Sequence, residues 1–332
     1  MTASAEVARH IDHVRRATVR GGELDTHGPN ASINNPAWFL GGSASAPTSA
    51  RRRLHAHIRR ETLEGASADY PKPHALILAG PPGAGKSTAR SGALANDILG
   101  HVVIDPDEIK RTLLLEAQRD GSYESFLKPS QVKSWEAEGE KFFPLELSAL
   151  VHVEAVSIGE DIRNQAIREH RNLVLDWVMS NPAVAIAAGE QLSQAGYAVD
   201  VVCVDVPHNV SEHRIRQRWS EAYQETLAGR GDLMGGRWVP SDYAAAMFDR
   251  TKGVSRSRQS AEMLAQKVSA VQRLRVFRTP LPDAAMELAL DLRRHHPGGP
   301  LLRADATVAQ PFPRNPSRPF MRAPKSQPER DF

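Results

Sequence analysis

The 332-residue sequence contains one cysteine, Cys203. A single thiol excludes an intramolecular disulfide and a multi-cysteine zinc site. It lies within Val201-Val202-Cys203-Val204, so it reads as a small buried hydrophobe rather than a nucleophile. No stretch approaches the ~18 consecutive apolar residues of a membrane helix. The polar start, Met1 to Arg16, lacks the apolar centre of a secretory signal. These absences predict a soluble, cytoplasmic protein with no membrane contact. Excess charge is also scarce. Lys and Arg total 42 against 39 Asp and Glu, a net charge of +3, and aromatics are 6% of the chain. A nucleic-acid binder would show a clustered basic excess interleaved with aromatics, so no nucleic-acid partner is expected. What is present is an ordinary globular mix, 41% hydrophobic and 24% charged, enough for a sizeable core.

Three regions are expected. Residues 1–50 read as a polar, irregular N-terminal extension, with Asn, Pro, Gly and Ser clusters from Gly28 to Thr48. Residues 51–295 read as the folded domain. Residues 296–332 hold eight of the 23 prolines and several arginines, the composition of an extended, flexible tail. A helix is expected over Ala50 to Glu64, with Arg51-Arg52-Arg53 on a solvated face.

From Pro73 the texture changes to short apolar runs separated by amphipathic stretches. The runs are Ala75–Ala79, Val102–Ile104, Leu173–Leu175, Val199–Val206 and Leu274–Phe277. Helical patterns fill the gaps, as over Ala183–Ala195 and Ser260–Val271. The alternation predicts the α/β class, a parallel sheet with helices on both faces. Continuous apolar runs fit strands buried on both sides.

The sharpest motif is Gly80-Pro81-Pro82-Gly83-Ala84-Gly85-Lys86-Ser87-Thr88, a Gly-x4-Gly-Lys-Ser/Thr phosphate loop. A strand precedes it and Ser87–Leu99 reads as the helix that follows. The glycines let backbone N–H groups turn onto phosphate oxygens, and the helix N-terminus adds its positive end. Gly80, Gly83, Ala84, Gly85, Lys86, Ser87 and Thr88 are therefore the expected nucleotide-binding residues. Lys86 would reach the β- and γ-phosphates of ATP and Ser87 would ligate Mg2+.

Further residues favour a small kinase over other nucleotide-binding proteins. The second strand ends in Asp105-Pro106-Asp107, which puts carboxylates at the sheet's carboxyl edge beside the phosphates. One of them can take the proton of an acceptor hydroxyl. Asp176 follows the third run and Asp205 ends the fourth. Downstream come Arg214, Arg216, Arg218, Arg230, Arg237 and Arg250, a supply of cations for the oxygens of a transferring phosphoryl group.

Taken together, residues 52–280 resemble the zeta toxin family, bacterial kinases of toxin–antitoxin systems. The resemblance rests on the phosphate loop followed by Arg90, on Val103-Ile104-Asp105-Pro106-Asp107-Glu108-Ile109-Lys110, and on Gly235-Gly236-Arg237-Trp238 and Phe248-Asp249-Arg250. It implies Asp107 as catalytic base, Glu160 and Asp176 as substrate contacts, and Arg237 and Arg250 at the γ-phosphate. It implies phosphorylation of UDP-N-acetylglucosamine on the 3′-hydroxyl of its amino sugar, which would block cell-wall precursor synthesis. It also implies a small helical antitoxin partner that covers the ATP site. The chain departs from the family where the third strand typically ends Glu-Gly-Thr: here it is Asp176-Trp177-Val178. The carboxylate is shorter, and the hydroxyl two residues on is gone. Two other readings stay open: a P-loop kinase of another small acceptor (a nucleotide, another sugar nucleotide or an antibiotic), and a nucleotide-switched binding protein.

Overall fold

The computed structural model describes residues 3–93, 100–249, 254–296 and 298–304. The chain opens with helices α1 (Ala3–Ala17) and α2 (Ser49–Leu63), then enters strand β1 (His74–Ala79) and helix α3, described over Lys86–Ala93. Strand β2 (Val102–Ile104) leads into α4 (Pro106–Arg119), α5 (Ser130–Ala137) and α6 (His152–Arg168). Next come β3 (Leu173–Trp177), α7 (Pro182–Gln194), β4 (Ala198–Asp205), α8 (His208–Leu227) and α9 (Ser241–Ala246). A small antiparallel pair, β5 (Phe248–Asp249) and β6 (Val254–Ser255), precedes α10 (Arg256–Lys267). Strands β7 (Val271–Arg278), β8 (Glu287–Arg293) and β9 (Leu302–Arg303) complete the described chain.

The main sheet runs β2-β3-β1-β4-β7-β8-β9. Its first five strands are mutually parallel, as expected, and β8 and β9 add an antiparallel edge. The edge strand β9 draws Leu302 and Arg303 out of the expected tail. Residues 305–332 lie outside the described residues.

The continuous apolar runs are explained by two cores, one on each face. Ala75, Ile77 and Ala79 of β1 face the larger core, with Val201 and Cys203 of β4. Leu76 and Leu78 face the smaller one, with Val202, Val204 and Ala84 and Ala89 around the phosphate loop. Period-2 alternation inside an all-apolar run serves both faces at once. Each fully buried Leu, Ile or Val among these contributes roughly 1.5–3 kcal/mol. Cys203 is fully buried, and burial pushes its thiol pKa up, so it is the inert hydrophobe expected.

Three expectations are corrected. Residues 1–50 are not irregular throughout, because Ala3–Ala17 forms α1. Val7, His10, Val14 and Ala17 are its buried side, a helical stripe disguised by a histidine at one apolar position. Arg51 is not on a solvated face either. It is 4% exposed and clamps Glu154 of α6 through Nε at 2.5 Å and Nη2 at 2.9 Å, beneath the Trp38 ring. The helix over Ser260–Val271 begins earlier than expected because Ser255 caps it, accepting the Arg258 N–H at 3.2 Å. Val271 instead opens β7.

Candidate active site

β1 is the middle strand of its neighbourhood, parallel to β3 on one side and β4 on the other. Loops at its carboxyl end therefore meet at a crevice between diverging connections. The phosphate loop leaves β1 there. Gly83 has φ +73°, and a Cβ would stand 2.7 Å from the Ser211 carbonyl oxygen. Only glycine meets both demands. The loop is braced from α8: the Ser211 hydroxyl donates to the Pro82 carbonyl at 2.7 Å. Arg214 donates to the Ala84 carbonyl at 3.3 Å and to Pro282 at 2.8 Å. Arg214 is thus a brace of the loop rather than a free phosphate contact.

Lys86 opens α3. Its ammonium donates to the Gly80 carbonyl at 3.0 Å and stands 3.6 Å from an Asp176 carboxylate oxygen. The parallel register sets Asp176 opposite Leu78, one residue short of the end of β1. Burial raises the Asp176 pKa, with Asp105 and Asp107 adding to the effect and Lys86 and Arg90 opposing it.

The two aspartates after β2 divide the work. Asp105 caps α4, accepting the Asp107 N–H at 2.9 Å, and Pro106 takes the first helical position. That arrangement satisfies an orphan helix donor and aims the first turn into the crevice. Asp107 pairs with Arg237 and with Lys110, whose Nζ donates to Oδ1 at 3.1 Å. Desolvation opposes the Asp107 charge, but Arg237 first, then Lys110 and Lys86, outweigh it. They hold the carboxyl well below the usual carboxylate range.

Arg237 sits in an irregular segment between α8 and α9. Arg111 grips Asp232 there with both terminal guanidinium nitrogens, and Leu145 donates to the Met234 carbonyl at 2.9 Å. Arg218 lies near Arg237 and Asp107. Partial desolvation and repulsion from Arg237 lower its pKa to about 10, with Asp107 opposing. The structure thus brings Lys86, Asp107, Asp176 and Arg237 to one crevice. Glu160 is exposed on α6, next to Gly159, which faces Ile104 and Ile109. No hydrogen bond or ion pair among the described residues joins it to this cluster. Arg250 lies outside the described residues. Asp205 is structural: it accepts the Ser255 N–H at 3.2 Å and pairs with Arg258 at 3.5 Å.

Two neighbours escaped sequence reasoning as site residues. Lys110 was legible from its i,i+3 spacing to Asp107. His152 at the start of α6 was not. Its pKa is lowered to about 4 by burial and then by Lys110, so it stands neutral beside the Asp107 cluster. A cavity of about 450 Å³ adjoins the crevice, lined by Arg90, Asp105, Glu108 and Thr112 among others. That is the size of a small-molecule pocket.

The family model described as Zeta toxin matches residues 59–129 and 136–280. The chain belongs to the zeta toxin family. No curated protein matches it. Among solved structures, it is similar to the AvrRxo1-ORF1:-ORF2 complex with ATP, at 15% identity and a TM-score of 0.52 over 79% of this chain and 71% of that one. The same complex with sulphate ions gives 15% and 0.51, over 80% and 72%. A chain of the PezAT chromosomal toxin–antitoxin system of Streptococcus pneumoniae matches at 14% identity and 0.48, over 75% and 84%. Zeta toxin family membership accounts for the mostly parallel, helix-flanked sheet and for the phosphate loop at its centre.

Proposed function

We propose that this zeta toxin family member is an ATP-dependent kinase whose acceptor is the 3′-hydroxyl of the amino sugar of UDP-N-acetylglucosamine. The observation that carries the kinase chemistry is the meeting of Lys86, Asp107 and Arg237 at one crevice, and the acceptor follows from the family resemblance. ATP phosphates lie over Gly80 and Gly83 to Thr88. The acceptor oxygen forms a bond to Pγ as the Pγ–O bond to ADP breaks, and the hydroxyl proton goes to an Asp107 carboxylate oxygen. General-base help of this kind is worth ~10²–10⁴-fold. Lys86 and Arg237 offset the charge that develops on the phosphoryl oxygens. When Arg237 turns from Asp107 to the phosphate, the main cause of the low Asp107 pKa is removed. The carboxylate becomes more basic as the acceptor arrives.

Mg2+ fits the residues present. Among the described residues no group of three or more His, Cys, Asp and Glu could hold a metal. A phosphate-borne Mg2+, however, needs only one or two hard oxygens and keeps its waters. Ser87 in the first turn of α3 would supply one directly, and Asp176 beside Lys86 would hold the ion through a bound water. The ion would supply charge neutralisation at the β- and γ-oxygens. By the family resemblance, Glu160 contacts the acceptor and Arg250 acts with Arg237. A small helical antitoxin over the ATP site and a cytoplasmic location complete the proposal. The first is in keeping with the two-chain complex named for the AvrRxo1-ORF1 neighbour.

The test is purified protein with ATP, Mg2+ and UDP-N-acetylglucosamine, read by mass spectrometry for the phosphorylated sugar nucleotide. Product that requires Lys86 is expected. Lys86-dependent ATP consumption without that product favours the second reading, a kinase of another small acceptor. That reading draws on Trp177, which follows Asp176 and packs against the larger core, so a bulky ring stands where the family has glycine.

A further inference from the structure

Arg237 has no regular secondary structure to hold it, yet both of its neighbours are anchored. Gly236 lies flush on Trp219, where a Cβ would come 2.6 Å from the Trp219 carbonyl oxygen. Trp238 is 5% exposed, meets Trp219 edge-on at 5.3 Å, and donates its indole N–H to the Thr18 hydroxyl at 3.1 Å. Thr18 in turn donates to the Val14 carbonyl at 2.9 Å. Its proton is therefore spent on α1 and its lone pair faces the indole. The middle of α1 is docked on the same Trp219, on which the His10 ring stacks at 6.0 Å. His10 bridges Glu140 at 3.0 Å and Glu146 at 2.9 Å, and Glu146 also accepts the Trp219 indole N–H at 3.1 Å. The N-terminal region thus grips the arginine segment at two points, through Thr18 to Trp238 and through His10 and Glu146 to Trp219.

We propose that α1 is a working part of the site, and that Thr18, acting through Trp238, is a positioning residue for Arg237. This rests on Arg237 serving the phosphoryl group. Arg237 must swing between Asp107 and a phosphate within one short segment. A displacement on the order of 1 Å at such a group can cost ~10²-fold in rate.

The experiment follows Arg237 by two independent readouts in the full chain: phenylglyoxal labelling of its peptide by mass spectrometry, and steady-state kinetics. The variants are Thr18→Val, Trp238→Phe and Thr18→Ser, with Asp107→Asn as the reference for a released Arg237. Labelling is expected to accelerate in Thr18→Val and Trp238→Phe toward the Asp107→Asn rate, and to stay slow in Thr18→Ser. The kcat of Thr18→Val should fall roughly 10- to 100-fold, within the misplacement estimate, with ATP affinity at the wild-type value. In an Arg237→Ala background, Thr18→Val should add nothing. Wild-type labelling in both Thr18→Val and Trp238→Phe, or a full additive loss in the double variant, would overturn the proposal. A wild-type chain without Lys86-dependent transfer would refute the kinase reading instead, and labelling would still decide the role of Thr18.

Discussion

Arg237 and Asp107 form an ion pair across the crevice, with Lys110 on the same carboxylate from one helical turn away. Two cations on one carboxylate leave the site charged but that carboxylate only weakly basic. On the proposed reading the pair is a resting arrangement that a phosphate dismantles, because a phosphoryl group competes for the same guanidinium fork. Four expectations follow from this geometry and from the groups around it.

The first concerns pH. As the proposed base Asp107 would act when ionised, and its carboxyl is held well below the usual range. The acid limb of kcat/KM due to Asp107 should therefore lie below the ordinary carboxylate value of ~3.9. Arg237→Gln removes the largest opposing cause and should move that limb upward. An acid limb that does not move on this substitution would separate Arg237 from Asp107.

Asp107→Asn tests the base directly. It should preserve ATP affinity and cut kcat by at least ~10²-fold, the lower bound of general-base catalysis. Isothermal titration with a non-hydrolysable ATP analogue, set beside turnover, separates the two. Weaker nucleotide binding at unchanged kcat would make Asp107 a ligand holder.

Asp176→Asn tests the proposed support of Mg2+ and Lys86, which stands 3.6 Å away. Outer-sphere groups of this kind typically alter metal affinity or activity by ~10–100-fold. The apparent Mg2+ requirement should rise by that order, and added Mg2+ should restore part of the rate. A lowered rate with an unchanged Mg2+ requirement would point to acceptor orientation instead.

His10 gives a stability expectation. Burial alone would lower its pKa, but Glu146 and Glu140 outweigh burial and raise it. A raised histidine pKa means stability that is fully present below the unfolded value of ~6.5 and lost as pH rises through the folded value. Thermal denaturation from neutral to alkaline pH should show this loss in the wild type. His10→Gln should flatten it. It should also lower Tm at neutral pH, because the buried Glu146 loses its cation, a kind of change that costs about 3–5 kcal/mol. Parallel pH slopes for the two proteins would remove His10 as the source.

Much of the site was legible in the chain because its chemistry is local. Gly80 to Thr88 is one contiguous strand–loop–helix unit, and the backbone demand at Gly83 follows from a string of nine residues. Asp105-Pro106-Asp107 is equally local, a cap and a first turn that place one carboxylate on the helix and one in the crevice. The arginines were the opposite case. Six candidates shared one residue type, and only packing sorted the described ones: Arg214 braces the phosphate loop and Arg216 pairs with Glu212 on the surface, whereas Arg237 reaches Asp107. Residue type sets charge, but a partner far along the chain sets purpose.

The sequence by itself determined the five parallel strands, the place of the phosphate loop at the end of a buried one, and the carboxylates Asp107 and Asp176 beside it. Each of these follows from periodicity, turn chemistry or capping within a window of a few residues. Tertiary structure alone decided that Arg237 faces Asp107, that Arg51 turns inward to Glu154, and that the N-terminal residues form a docked helix. These depend on desolvation and pairing between distant segments. A histidine between two glutamates reads as polar surface along the chain, and becomes a core residue only when both partners are folded around it.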